Sequence, residues 1–176
     1  LKLNHKLYKS LIDEKINAVE LRGATDKLIR QDARHDLDKN KLEAIVATTI
    51  FDEGVDIPNL RQLILAYGGR SLIKTDQRVG RGLRRKTSGL NTAVIVDFIH
   101  YGNKHLHTHS LVRLKRYLEE ENYDLFLVHP AQHSATVRRM LKDRAQLLEE
   151  LPGIEYYKRL SLPTASQAVV TAAAVA

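Results

Sequence analysis

The chain has 176 residues, with 28 Lys and Arg against 21 Asp and Glu, and no cysteine. The absence of cysteine excludes disulfides, thiol nucleophiles and cysteine-ligated zinc, and it favours a reducing, cytoplasmic setting. The formal net charge of +7 favours a polyanionic partner. Neither a signal peptide nor an apolar run of membrane-spanning length is visible, so we expect a soluble protein with one main domain and no membrane partner.

The first residues alternate between helix and strand patterns. Apolar residues at helical spacing predict a helix over residues 5–15, and the stretch INAVELR predicts a strand over residues 16–22. A second helix, capped by Thr25 or Asp26, is predicted to run to about residue 37. Its predicted inward positions are Leu28, Ala33 and Leu37.

Three nearly continuous apolar runs follow, and each is typical of a parallel strand buried on both faces. They are EAIVAT, QLILAY and TAVIVDFI, at residues 43–48, 62–67 and 92–99. A helix is predicted between the last two, over residues 71–85. Short apolar strands that alternate with amphipathic helices indicate an α/β fold, with an open, mostly parallel sheet and helices on both faces.

Beyond residue 100 the pattern becomes mainly helical. Helices are predicted over residues 105–121 and 132–150, with YDLFLVHP between them as a candidate extra strand. The tail over residues 152–176, biased to Ala, Val and Thr, is predicted to be loosely ordered, with a docked segment as the alternative. The pattern thus predicts a domain over residues 1–100, a mainly helical extension over residues 101–151, and the tail.

Two stretches that follow predicted strands carry the candidate chemistry, because ligands of open α/β sheets bind at the carboxyl ends of the strands. The first, QRVGRGLRRK, begins at Gln77. On a helix Gln77, Arg81 and Arg84 project to the same side, and Arg78 and Arg85 form a second stripe. Arginine suits phosphate, because its planar fork pairs two oxygens at once and stays charged.

A plain basic surface helix is the alternative interpretation of this stretch. Gly80 and Gly82 weigh against it, because each glycine weakens a helix by about 1 kcal/mol and a helix needed only for solubility would not carry them. The position of the stretch after a strand end also favours a phosphate site.

The second stretch, TTIFDEGVDIP, combines the hydroxyls of Thr48 and Thr49 with the carboxylates of Asp52, Glu53 and Asp56. Clustered acids of this kind are usually only a polar loop, and we predict no metal site from them. Asp52 and Glu53 do not fit the magnesium-binding acid pair of nucleotide hydrolases, because the chain contains no G-x-x-x-x-G-K-[ST] loop to cradle the phosphates.

Together the two stretches resemble a known pair of motifs. VATTIFDEGVDIPNL followed by QRVGRGLRRK resembles motifs V and VI of superfamily 2 helicases and translocases, in the second of their two RecA-like domains. LRRK and AVIVDFIH are similar to the branch of XPB-type and phage recombination helicases. ELRG, with Arg30 after it, resembles the strand-to-helix element that precedes motif V. The resemblance covers about residues 16–100, and the two motifs in this order and separation are highly specific.

The resemblance implies a nucleotide-facing role for five residues. Arg81 and Arg84 would be arginine fingers that reach the γ-phosphate of ATP, which is held with Mg²⁺ mainly by the first RecA-like domain. Gln77 would lie at the same cleft between the domains. Gly54 and Asp56 would contact the nucleotide near its ribose.

The resemblance also implies a nucleic-acid partner. Thr48, with Thr49 beside it, would contact the nucleic-acid backbone. Glu53 departs from the RNA-helicase subgroup, which commonly has Arg at that place, so DNA is favoured over RNA.

Parts of the family pattern have no counterpart in these residues. They are the first RecA-like domain, with its P-loop Lys and magnesium-binding acids, and the first strand of the second domain. We therefore expect a fragment of a larger enzyme that hydrolyses no ATP by itself. One alternative is a non-catalytic nucleic-acid-binding or adaptor module that retains the fold. Another is an unrelated doubly wound nucleotide-binding protein. Such a protein would need a Gly-rich loop directly after the first strand, and LRGATDK contains only Gly23.

Two further groups of side chains have competing interpretations. His105 and His109 lie four residues apart and could pair on a metal, but no third ligand is obvious, so a polar helix start is favoured. Tyr117, Tyr156 and Tyr157 alternate with basic residues as in sites that stack single strands. The favoured alternative is an amphipathic helix surface with half-buried tyrosines.

Overall fold

The computed structural model describes residues 2–48, 57–66, 92–121, 123–150 and 167–175. The chain divides into two compact units, Leu1–Leu60 and Arg61–Ala176. Both units contain helices and strands, and every strand pairing in the described ranges is parallel. The predicted α/β class is therefore confirmed, and the arrangement is consistent with a RecA-like sheet. The helix predicted over residues 71–85 lies outside the described residues.

The first unit contains a two-stranded sheet and two helices. In chain order the elements are helix α1 (Lys2–Asp13), strand β1 (Ala18–Leu21), helix α2 (Lys27–Asp38) and strand β2 (Ala44–Ala47). Asp26 caps α2, because its carboxylate accepts a hydrogen bond of 2.7 Å from the backbone N–H of Leu28. The predicted start of this helix is confirmed.

The inward positions predicted for α2 are confirmed only in part. Ala33 is buried and Leu37 is half-buried, but Leu28 is 68% exposed. The prediction for Leu28 is wrong because Arg30, which lies almost opposite it around the helix, is on the covered side. A leucine next to the helix cap thus remains on the surface.

The second unit is built on a five-stranded parallel sheet. Its strands are β3 (Gln62–Leu65), β4 (Thr92–His100), β5 (Tyr123–Val128), β6 (Ala145–Leu148) and β7 (Gln167–Val175). They lie in the order β3-β4-β7-β5-β6, so β7 separates β4 from β5. Thr92 pairs with Gln167 on one side of β7, and Tyr123 pairs with Ala168 on the other.

Two helices of the second unit follow β4 and β5. Helix α3 (Lys104–Leu118) follows β4, and a short 3-10 turn (Pro130–Gln132) leads from β5 into helix α4 (Ala135–Leu141). Asn103 caps α3, because its side-chain oxygen accepts from the backbone N–H of His105 at 2.9 Å.

The core of the second unit lies on both faces of its sheet. Ile95 and Ile99 of β4 pack against Leu114 of α3, whereas Val94, on the other face, packs with Phe126 of β5. Each fully buried side chain of this size contributes about 1.5–3 kcal/mol. β4 is therefore buried on both faces, as its continuous apolar run predicts.

The same prediction is wrong for β2 and β3. All four residues of β2 are only half-buried, and Ile64 of β3 is 54% exposed. In the described part of the chain β2 pairs only with β1, and β3 pairs only with β4. A strand with one neighbour has less cover than a central strand, although its apolar sequence is the same.

The region from residue 101 to 151 contains helices α3 and α4 and strands β5 and β6. The candidate strand at YDLFLVHP is present as β5, but the helix predicted over residues 132–150 is confirmed only over Ala135–Leu141, as α4. Helical spacing ends at α4, and the next stretch, AQLL, pairs with β5 as strand β6. Sheet pairing here outweighs the local helix preference, so this region extends the sheet.

The tail also differs from the prediction of a loosely ordered end. Residues 167–175 form β7, whose backbone pairs with β4 and β5. Valine and threonine favour strands, which agrees with this placement. The domain limits at residues 100 and 151 stay predictions.

Candidate functional site

Thr48 is the one predicted site residue in the described part of the chain. It directly follows β2 and is half-buried. Because Leu21 pairs with Ala47, Arg22 and Thr48 are the next residues at the carboxyl ends of β1 and β2. Ligands of open α/β sheets bind at this edge. The other predicted site residues lie outside the described residues, and they are Thr49, Gly54, Asp56, Gln77, Arg81 and Arg84.

The turn after β1 is held by an ion pair and a hydroxyl. Arg22 donates from Nε to Glu20 Oε1 at 3.1 Å and from Nη2 to Glu20 Oε2 at 2.8 Å, while His5 Nδ1 lies 3.0 Å from the same Oε2. The hydrogen bonds from Arg22 lower the pKa of Glu20. The backbone N–H of Arg22 donates to Thr25 Oγ1 at 2.8 Å. The guanidinium of Arg22 is thus already paired with a carboxylate.

A buried polar cluster fixes α3 on β4. Arg113 donates from Nε to Asp97 Oδ2 at 2.8 Å and from Nη2 to Asp97 Oδ1 at 2.9 Å. The hydroxyl of Tyr117, one helical turn further along α3, donates to Asp97 Oδ2 at 2.7 Å. Asp97, Arg113 and Tyr117 are all less than 5% exposed. One carboxylate therefore holds two side chains of the neighbouring helix in fixed positions.

The pKa shifts in this cluster follow from burial and from the negative charge of Asp97. Burial and the adjacent carboxylate raise the pKa of Tyr117 well above its ordinary value. Burial alone would lower the pKa of Arg113, but the hydrogen bond to Asp97 and its charge outweigh that effect and raise it. Tyr117 therefore stays a neutral donor and Arg113 stays charged. The cluster is a structural anchor, because it is buried and its side chains bond one another and the backbone of Phe98 in β4.

Sequence reasoning missed this anchor. The available signal was Asp97, an acid inside the apolar run TAVIVDFI. Arg113 and Tyr117, four residues apart, were the matching signal on α3. The interpretation of Tyr117 as a stacking or half-buried surface residue is wrong, because its ring is buried and its hydroxyl is bonded to Asp97. Tyr156 and Tyr157 lie outside the described residues.

A second polar cluster joins the carboxyl ends of β4 and β5. His133 Nε2 lies 2.9 Å from the carbonyl oxygen of Val128, and a carbonyl only accepts, so the imidazole proton is on Nε2. Nδ1 of His133 then accepts from the hydroxyl of Tyr101 at 2.9 Å. The Tyr101 oxygen in turn accepts from the backbone N–H of Ser134 at 3.1 Å. Tyr101 and His133 therefore connect the two strand ends in one directed chain of hydrogen bonds.

Acid is expected to destabilise the second unit through His133. Burial holds the pKa of His133 below its ordinary value, so the unfolded chain takes up this proton at a higher pH than the folded chain. The contribution of His133 to the free energy of unfolding should be fully present above about pH 7. It should decrease below about pH 6.5, by at most about 1.4 kcal/mol per pH unit. Urea unfolding followed by circular dichroism across this range measures the slope.

The variant His133→Gln takes up no proton and should therefore lose part of this slope. The exposed His105→Gln is the matched control and should keep the slope of the original chain. His100, whose pKa is also lowered by burial, acts in the same direction and should supply the slope that remains. If the dependence of the free energy of unfolding on pH is unchanged in His133→Gln, the assignment of this effect to His133 is contradicted.

The remaining histidine interpretation concerns metal binding. His105 and His109 both lie on α3, and His105 is exposed. Within the described ranges no three metal-ligating side chains are gathered in a position to hold an ion.

None of the helices in those ranges has both the length and the hydropathy that crossing a bilayer requires.

Comparison with known proteins gives a family match over the first part of the chain. Residues 2–86 match the family described as "Helicase conserved C-terminal domain". A similar protein is "Putative helicase 22" of the Sulfolobus islandicus filamentous virus (isolate Iceland/Hveragerdi), which is 34% identical over 93 residues. That alignment covers 53% of this chain and 16% of the viral protein. No solved structure matches the chain. The first part of the chain is therefore similar to a helicase C-terminal domain.

Proposed function

We propose that the chain is the C-terminal motor part of an ATP-dependent superfamily 2 helicase or translocase that acts on DNA. The observation that carries the proposal is the match of residues 2–86 to the helicase C-terminal domain. That range contains both of the stretches in which the sequence concentrates phosphate-binding and backbone-binding side chains. The XPB-type and phage recombination branch is the subgroup that we favour, on the residues LRRK and AVIVDFIH.

In this proposal the chain supplies positive charge to a phosphoryl transfer. Arg81 and Arg84 approach the γ-phosphate of ATP, the substrate, which is bound with Mg²⁺ mainly by the first RecA-like domain of the enzyme. Gln77 lies at the same cleft. Phosphoryl transfer requires little covalent chemistry and much charge stabilisation, so a guanidinium from a second domain raises the rate by about 10³- to 10⁵-fold. Gly54 and Asp56, in the stretch TTIFDEGVDIP, contact the nucleotide.

The same stretch connects ATP to nucleic acid. Thr48 and Thr49 contact the nucleic-acid backbone, and the position of Thr48 at the carboxyl end of β2 supports this role. When ATP is bound, the cleft between the domains closes on it. Hydrolysis removes the anion that the two arginines hold, the cleft opens, and the strand held at Thr48 moves relative to the other domain.

A non-catalytic nucleic-acid-binding or adaptor module is the second candidate function. The observation that favours it is the absence of a G-x-x-x-x-G-K-[ST] loop from the 176 residues. The two candidate functions differ in whether the chain, when combined with a P-loop RecA-like domain, supplies residues needed for ATP hydrolysis.

Reconstitution distinguishes them. The full chain is mixed with a P-loop RecA-like domain of the same enzyme, and ATP hydrolysis is measured with and without single-stranded DNA. We expect no hydrolysis by the chain alone and DNA-stimulated hydrolysis by the mixture. RNA of the same sequence should stimulate less, because Glu53 replaces the arginine common in RNA helicases. A mixture that is no faster than the P-loop domain alone supports the adaptor.

A further inference from the structure

We propose that a cationic surface on α4 is an additional contact for the phosphate backbone of nucleic acid, outside the two motif stretches. This surface, the α4 face, consists of Arg138, Arg139 and Lys142. The inference rests on the proposed function, because it takes nucleic acid as the partner.

The packing of α4 leaves these three side chains in solvent. Val137 and Leu141, four residues apart, are 0% and 2% exposed and join the core of the second unit. Ser134 caps the helix by accepting from the backbone N–H of Val137 at 3.4 Å. With one side of α4 anchored in this way, Arg138, Arg139 and Lys142 are all exposed.

Within the described ranges, the α4 face differs from neighbouring basic residues in having no partner of its own. Arg113 is paired with Asp97, Arg116 lies 2.6 Å from Glu120, and Arg144 donates to the carbonyl of Glu120 at 2.9 Å. By contrast, across the part of the chain that the structure describes, the side chains of the α4 face form neither a hydrogen bond nor an ion pair. Their charge is therefore available to an external anion.

The surroundings of α4 reinforce the positive charge. Residues 125–142 contain no Asp or Glu, and Asp143 is the first acid after them. Burial lowers the pKa of His133, and the charge of Arg138 adds to this effect, so the positive potential of Arg138 reaches into the adjacent loop. An acid-free segment with three exposed cations attracts a polyanion and repels a basic partner.

The spacing of the cations also suits a phosphate backbone. Arg138 and Lys142 are four residues apart, which is about 6 Å along a helix axis. This is close to twice the spacing of about 3.4 Å at which one strand of a DNA duplex places its charges along the duplex axis. Basic residues near the end of a helix also stabilise its dipole. Arg138 and Arg139 lie in the last turn of α4 and Lys142 is its C-cap, so all three are placed to do so. In the described ranges none of the three side chains bonds a carbonyl group, which leaves each of them able to contact an external anion as well.

The experiment measures how binding depends on salt. The full chain is titrated into fluorescently labelled single-stranded DNA from about 50 to 300 mM salt, without ATP, and binding is followed by anisotropy. The variant Arg138→Gln, Arg139→Gln, Lys142→Gln should lower the slope of log K against log salt by about 2, since each phosphate contact contributes about 0.7 for single strands. Its affinity at about 100 mM salt should fall at least tenfold.

The matched control removes three exposed lysines elsewhere, through Lys9→Gln, Lys39→Gln and Lys115→Gln, and so changes net charge equally. Its slope should stay close to that of the original chain. Circular dichroism should show that both variants are folded.

Four results would overturn the inference. If the slope of log K against log salt falls equally in the two triple variants, the effect is one of net charge alone. If polyglutamate displaces the DNA as effectively as unlabelled DNA, the α4 face fits an acidic protein instead. If the original chain binds neither DNA nor RNA, the nucleic-acid partner of the proposed function fails together with this inference. If the original chain binds DNA and the α4 variant binds it with the same affinity and the same slope, this inference fails and the proposed function stands.

Discussion

Replacing Arg81 or Arg84 with alanine is expected to lower DNA-stimulated ATP hydrolysis by the reconstituted enzyme by about 10³-fold or more. The reason is that the charge that develops on the transferred phosphoryl group loses a guanidinium and gains no other cation. Steady-state hydrolysis by the full chain mixed with the P-loop domain measures the loss. DNA binding without ATP should change little, since the proposed role of these arginines is toward the nucleotide.

Arg78 and Arg85 provide the matched control, because they lie in the same stretch but on the second stripe of the helix that its sequence predicts. Their alanine variants change net charge equally and should keep most of the hydrolysis rate. If all four variants lose activity to the same extent, the arginines act through general charge. If Arg81→Ala and Arg84→Ala keep full activity, the proposed finger role is wrong.

Removing the carboxylate of Asp97 is expected to have the largest effect on stability. In Asp97→Ala the buried guanidinium of Arg113 and the hydroxyl of Tyr117 both lose their acceptor. Leaving a buried charge without its partner costs about 3–5 kcal/mol, a large part of the roughly 5–15 kcal/mol that stabilises a typical domain. Urea unfolding of the full chain, followed by circular dichroism, measures the change.

Glu120→Ala is the control for this prediction. It removes one of the acidic partners of Arg116, whose ion pair with Glu120 at 2.6 Å is partly exposed, and such pairs contribute about 0–1 kcal/mol. If Asp97→Ala does not fold, Asp97→Asn, which keeps the shape of the side chain but loses its charge, gives the measurable and smaller loss. A cost below about 1 kcal/mol for Asp97→Ala would contradict the assigned role of the cluster.

The parts of the fold that were predictable depend on local signals. Asp26 marks the start of α2 because a cap is made by one side chain and a backbone group two residues away. The strand over residues 92–100 was predictable because a strand buried on both faces needs an uninterrupted apolar run. In such cases the interaction and its sequence pattern are separated by only a few residues.

The missed features depend on residues that are far apart in the sequence. Asp97 meets Arg113 sixteen residues later, and Tyr101 meets His133 thirty-two residues later. No periodic pattern in the sequence indicates such pairs. Helical spacing was misleading over residues 132–150, because the pairing of AQLL with β5 decides its conformation. Of the site, Thr48 was placed correctly at a strand end, since strand followed by loop is a local pattern.

The position of β7 has a consequence for how the second unit is assembled. β7 lies in the middle of the sheet, yet it comes later in the chain than both strands that it separates. During synthesis β4 and β5 therefore emerge from the ribosome with the ladder between them vacant, and the gap closes only when a distant segment arrives. Such non-local closure makes folding slow. Until it is complete, two unpaired strand edges remain open to association with other chains.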